Sequence, residues 1–199
     1  LPSDAAAIVL AGPTQPYTDD EVKTIGDYLA AGGKAVVMVE PSVLMGLTAG
    51  QSDPLANYLS QTWGVTLRDD IVIDPVQYVA QFGPTVPATT TYAFSTITSD
   101  MTGLFTFFPS TRSISVADAP SGVTASDLIK AGPDAWGETN FDSLTNGTPE
   151  KDDQDVSGEL ALAATAENFT TQARLVVFGD SEFAMNGFAR GGNGTLLLN

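Results

Sequence analysis

The residues Gly179-Asp180-Ser181-Glu182 come nearest, in type and spacing, to a constellation that could do chemistry. They follow the apolar run Arg174 to Phe178 and precede a helix predicted to begin at Phe183-Ala184-Met185. A turn at the carboxyl end of a strand is where α/β folds present ligand-binding residues. As an enzyme site, the turn offers Ser181 as the nucleophile of a Gly-Asp-Ser hydrolase, with acidic partners such as Asp180. Such a nucleophile needs a base to take its hydroxyl proton, and the sequence contains no histidine. The Gly-x-Ser-x-Gly nucleophile elbow is absent as well. As a structural element, Asp180 or Ser181 caps the following helix and Gly179 permits the tight turn. The residue types favour the cap, so no catalytic residue is expected. Gly179, Asp180, Ser181 and Asn186, together with Trp136, stand as a candidate ligand or partner site.

Other segments invite chemistry and fall short of it. Gly191-Gly192-Asn193-Gly194 has the glycine content of a phosphate loop but no following lysine and no Walker spacing. Asp152, Asp153 and Asp155 cluster as calcium ligands do, yet not at the spacing of an Asp-x-Asp-x-Asp-Gly loop. A solvated acidic loop is expected there, so no metal and no cofactor are assigned. Trp136, Tyr92 and the cluster Phe105 to Phe108 could stack on a sugar or small molecule. The same aromatic cluster, with Leu104, reads as core or as the cover of a sheet edge, and a partner-docking surface is the sharper alternative. The three Asn-x-Ser/Thr matches at Asn146, Asn168 and Asn193 carry no inference.

Composition narrows the classes further. At 199 residues, 43% of them hydrophobic, the chain fits a single α/β domain with a sizeable core. Net charge is −16, and the eight basic residues are scattered. Nucleic-acid binding needs a clustered basic surface, and docking on anionic lipid needs the same; neither is expected. Zero cysteines removes disulfides, thiolate nucleophiles and cysteine metal sites together. The longest apolar runs, such as Ala35 to Val39, are too short to span a bilayer. Nothing at Leu1 has the form of a signal peptide, and the missing first Met fits an excised fragment.

The elements that must position these residues follow from periodicity and caps. Ala5 to Leu10 reads as a strand buried on both faces. Thr18-Asp19-Asp20-Glu21 is a capping box, followed by Val22, Ile25 and Leu29 at helical spacing and a Gly32-Gly33 stop. Lys34 to Val39 is a second buried strand, closed by Glu40-Pro41. Asp53-Pro54 opens another helix with the stripe Leu55, Tyr58, Leu59 and Thr62, ended by Gly64. Val65 to Leu67, Ile71 to Ile73 and Arg112 to Val116 are short strands, while Val123 to Ile129 fits a strand or a short helix. Residues 134–159 hold eight acidic side chains against one lysine, the pattern of an exposed acidic excursion. Leu160 to Thr165 and Arg174 to Phe178 close the chain as strands.

Taken in order, these motifs resemble the extracytoplasmic domain of the uncharacterised ABC-type transport auxiliary proteins, a group that includes the gliding-motility component GldG. Leu1-Pro2-x-Asp4-Ala5 leads through an apolar strand to Ala11-Gly12-Pro13. Tyr28-Leu29-Ala30-Ala31-Gly32-Gly33-Lys34 is similar to that family's Tyr-Leu-x-x-Gly-Gly-Arg/Lys. Asp53-Pro54-Leu55, Trp63-Gly64-Val65 and Asp70-Ile71-Val72-Ile73-Asp74 follow. Trp136-Gly137-Glu138 stands at the family's Trp-x-Glu. Val177 to Asn186 looks like its Val-Gly-Asp-Ser-Asp-Phe-x-x-Asn, and Gly192-Asn193 with Leu197-Leu198-Asn199 closes the series. The resemblance implies a three-layer flavodoxin-like sheet, akin to class I glutamine amidotransferases without their catalytic residues, with helices on both faces. It also implies a place outside the cytoplasmic membrane, anchored by helices outside this chain, with ABC permease and ATPase subunits as partners. Two departures stand out. Phe94 to Thr98 stands where relatives often show His-Pro-Ile-Thr, and family members usually have a strand-helix unit upstream of the position matching Leu1, which this sequence does not include. The latter implies fewer strands and an unpaired edge, through which a homo-oligomer would form.

Overall fold

The apolar run near the start becomes β1 (Ile8–Ala11), whose side chains alternate between buried and exposed. Ile8 and Leu10 enter the core, while Val9 is 59% exposed. The expected strand buried on both faces is instead an edge strand covered on one face. The computed structural model describes residues 1–2, 4–47, 51–117, 119–147 and 149–199.

Helix α1 (Asp19–Ala30) starts at the capping box: Thr18 Oγ1 accepts from the Glu21 amide at 3.3 Å, and the Glu21 carboxylate accepts from the Thr18 amide at 2.8 Å. Val22, Ile25 and Leu29 are its buried face. After β2 (Lys34–Met38) and a short 3-10 turn at Ser42–Met45, α2 (Pro54–Trp63) begins on Asp53, which accepts from the Leu55 and Ala56 amides. Its buried side chains are Leu55, Leu59 and Trp63; Thr62, expected on that stripe, is exposed. Short strands follow as β3 (Val65–Leu67), β4 (Ile71–Ile73), β5 (Ala88–Thr89), β6 (Thr91–Tyr92), β7 (Thr106–Phe107) and β8 (Ile114–Val116). The ambiguous segment forms a strand, β9 (Val123–Lys130). Then come β10 (Trp136–Glu138), α3 (Phe141–Thr145), β11 (Val156–Ser157), β12 (Ala161–Asn168) and β13 (Ala173–Phe178). The predicted helix after Ser181 is only a 3-10 turn at Glu182–Ala184, and the glycine-rich segment opens α4 (Gly192–Leu198).

The main sheet runs β1-β2-β13-β12-β8-β3, with β9 beside β12 and β6 beside β9. It is a mixed α/β sheet: β1, β2 and β13 are mutually parallel, and the pairings beyond β13 are antiparallel. A second sheet, β11-β10-β4, takes in the start of the acidic stretch. Trp136 to Glu138 are buried there, whereas residues 151–154 are exposed. Glu138 survives burial because it accepts from the Asn140 amide and faces the Trp136 indole N–H.

Two cores flank the main sheet. One lies between its strands and α1 with α2, built from residues such as Leu29, Val37, Leu59, Trp63, Leu175 and Val177. The other lies on the opposite face under Phe108, Phe183 and Leu196, against Met38, Ala163 and Phe178. Helices therefore sit on both faces, but the second face has only the short α4 and a cover of aromatic loops. Asn193, one of the Asn-x-Thr matches, is fully buried. Its side chain accepts from the Phe107 amide and donates to the carbonyls of Phe107 and Phe183, tying α4 to the cover.

Candidate functional site

Three parallel strands, β1, β2 and β13, end side by side, and the residues just beyond them are Gly12, Glu40 and Gly179 to Ser181. Backbone pairing continues past the strand ends. Gly179 donates its N–H to Leu162 O at 3.0 Å and accepts from the Arg112 amide at 2.9 Å. A Cβ on Gly179 would collide with the Arg112 carbonyl, so glycine is required by close backbone approach rather than by an unusual dihedral.

Asp180 is completely buried. Its carboxylate accepts from the Glu182 amide at 2.6 Å and the Phe183 amide at 3.1 Å, capping the 3-10 turn. Burial pushes its carboxyl well above the ordinary range, and the nearby Glu40 charge adds to the shift. The cap expected from Asp180 or Ser181 is made by Asp180; Ser181 makes no cap bond.

Ser181 turns to Glu40 instead. Its amide donates to Glu40 Oε1 at 2.8 Å and its hydroxyl donates to the same oxygen at 2.5 Å. Glu40 Oε2 is buried and has no hydrogen-bond partner among the described residues. Desolvation raises the Glu40 carboxyl, and the two bonds from Ser181 oppose that shift only in part. Gly12, at φ 58, closes the other side: a Cβ there would strike Ser181 Oγ.

Arg112 lies beneath the cluster, buried to 2% exposure. It donates from Nε to Arg68 O at 2.6 Å, from one terminal nitrogen to Glu40 O at 3.2 Å, and from the other to Ser42 Oγ at 3.3 Å. It therefore fixes the backbone that carries Glu40 without pairing with the carboxylate. Burial lowers the guanidinium's pKa, against the charges of Asp69, Asp70, Asp53 and Glu40.

A second carboxylate and serine meet close by. Asp70 accepts from the Ser113 amide at 2.7 Å through Oδ1 and from the Ser113 hydroxyl at 2.6 Å through Oδ2. Asp70 is buried, which raises its pKa, opposed by Ser113 and the neighbouring arginines. Gly137 of β10 packs against this carboxylate so closely that a Cβ would overlap it.

Of the sequence-predicted residues, the structure brings together Gly179, Asp180 and Ser181. Asn186 is exposed, beyond the 3-10 turn. Trp136 stands in the second sheet, packed with Ile71 and Ile73 in a cluster separate from the one containing Phe178 and Phe183. Sequence reasoning missed Glu40 and Arg112. The available signal was Glu40's position directly after a strand, but only the parallel pairing of β2 with β13 makes it a neighbour of Ser181.

Chemically, the hydroxyl of Ser181 has an acceptor in Glu40. The Ser181 amide is bonded to Glu40, and the Glu182 and Phe183 amides are bonded to Asp180, so none of the three is free to bind an oxyanion. Among the described residues no three acidic side chains group as metal ligands, and no helix is long and apolar enough to cross a membrane.

A family model described as an ABC-type uncharacterized transport system matches residues 1–199. No curated protein matches the chain. Among solved structures, the mmIFT52 N-terminal domain is similar at a TM-score of 0.66 and 16% identity, over 98% of this chain and 75% of that one. At that identity the likeness concerns the fold alone.

Proposed function

The chain belongs to the ABC-type uncharacterized transport system family, and from that premise we propose that it is a non-catalytic binding or scaffolding domain of an auxiliary protein in such a system. The family is an auxiliary component of ABC-type transport. On our reading the domain is GldG-like, stands on the extracytoplasmic side, and is anchored by helices outside this chain beside permease and ATPase subunits. The observation that carries the non-catalytic part is the way Ser181 is held. Its amide and hydroxyl both point into Glu40, just as Ser113 points into Asp70. A geometry used twice, once where solvent has no access, is a structural clasp rather than an activated nucleophile. The test is affinity capture of the natively expressed protein from its own membranes. Permease or ATPase subunits are expected in the eluate, and clean recovery of neither overturns the reading.

The 2.5 Å bond from Ser181 to a carboxylate also favours one rival, a degenerate serine hydrolase with Glu40 as base. Ester, amide and glycan substrates, screened with wild type and Ser181→Ala, separate the two. Turnover lost in the variant establishes the rival; equal inactivity removes it.

A further inference from the structure

One face of the main sheet is covered only in part. On the side opposite α1 and α2, cross-strand registers align Val9, Val36, Val176, Thr165 and Ser126 in one row. The next row is Lys34, Arg174, Glu167 and Thr124. The second core reaches Met38 and Phe178 in the row beyond, Val36 and Val176 pack half-buried at its margin, and Val9 is 59% exposed. This exposure falls on the parallel part of the sheet, and parallel strands are rarely left uncovered on either face.

The charges beside the open row run against the rest of the molecule. Lys34 and Arg174 are register partners on adjacent strands, so two cations lie side by side in a chain of 24 acidic and eight basic residues. Arg174 pairs with Glu167 at 2.9 Å, while Lys34 makes no ion pair among the described residues. Like charges placed opposite one another destabilise a sheet unless something anionic lies across them.

We propose that this face is the docking site of an amphipathic helix from a partner protein, with an apolar stripe on Val9, Val36 and Val176 and acidic side chains over Lys34 and Arg174. An aliphatic row flanked by Lys34, without an ion pair among the described residues, and by Arg174, which Glu167 meets from one side only, selects such a helix over a basic one. A second copy of this face would set Lys34 and Arg174 against their own kind, and the chain's net charge of −16 opposes self-association as well as contact with anionic lipid. The site is independent of Ser181, so its failure leaves the clasp reading untouched.

The experiment titrates the 199-residue chain with two synthetic helical peptides that share a leucine stripe and carry either glutamate or lysine flanks. Methyl NMR of the valines locates the contact. The acidic peptide is expected to bind about tenfold more tightly and to shift Val9, Val36 and Val176, a ratio equivalent to ~1.4 kcal/mol. Lys34→Glu with Arg174→Glu is expected to reverse the preference, and Val9→Asp to weaken both peptides. Equal affinities, or shifts confined to other residues, overturn the proposal. So does a dimer seen by sedimentation and abolished by Val9→Asp, or binding of phosphatidylcholine vesicles through the same valines.

Discussion

Glu40 with Ser181 and Asp70 with Ser113 are two versions of one arrangement, a carboxylate holding both the amide and the hydroxyl of a serine beside the end of a strand distant in sequence. At Asp70 each oxygen has its own donor and the residue is 2% exposed. At Glu40 one oxygen takes both donors and the other has none. The first pair is complete and packed against Gly137; the second is half-satisfied and only partly buried. The difference teaches that the same serine-to-carboxylate geometry occurs both fully satisfied and half-satisfied in this molecule, which is the basis of the clasp reading proposed above. Any functional surplus belongs to the incomplete copy.

The largest effect expected from breaking the comparison is at Asp70. Asp70→Ala leaves the Ser113 amide and hydroxyl buried without acceptors and is expected to cost about 3 kcal/mol, read from urea unfolding midpoints. Ser181→Ala removes one bond from a partly exposed pair and should cost about 1 kcal/mol by the same measurement. Equal losses at the two sites would erase the distinction drawn between them.

A subtler probe is pH. The carboxyls of Glu40, Asp70 and Asp180 are raised in the folded state by burial. Their stabilising contribution is therefore fully present below the unfolded value of about 4 and is lost as pH rises through the folded values. The melting temperature is expected to fall as pH rises from about 4 through the raised folded-state values. Glu21, lowered by its capping bonds to Thr18, acts with the opposite sign but is fully exposed. Glu40→Gln keeps an acceptor for Ser181 and removes one titrating group, so the slope should flatten; an unchanged slope would assign the effect to Asp70 and Asp180 alone. The smallest effect is reserved for Asn186→Ala, expected within about 0.5 kcal/mol of wild type because the side chain is exposed.

Local signals made much of this legible. The Thr18 box, the Asp53 cap and the glycine stops fixed α1 and α2 because each acts within one helical turn. The turn at Gly179 could likewise be placed after a strand, with Asp180 or Ser181 as its cap; the structure assigns the cap to Asp180. What no local signal carried was partnership at long range: Glu40 and Ser181 are 141 residues apart, and the Arg112 side chain is held by Arg68 and by the segment carrying Glu40 and Ser42. The same limit explains β1, whose short apolar run cannot announce that it lies at an edge with one face open. It also explains α4: its glycines read as a loop until the buried Asn193 side chain pins them to Phe107 and Phe183.

The position of β13 has a consequence for the order of assembly. It is the last strand of the described chain, yet it lies between β2 and β12 and joins the parallel and antiparallel halves. During synthesis β1 and β2 emerge early and must wait for it, because closing so long a loop delays the contacts that repay it. The β12–β13 hairpin, by contrast, forms from neighbours in sequence. A nascent chain halted before Ala173 would hold its first half without a centre, in the partly formed condition most exposed to aggregation.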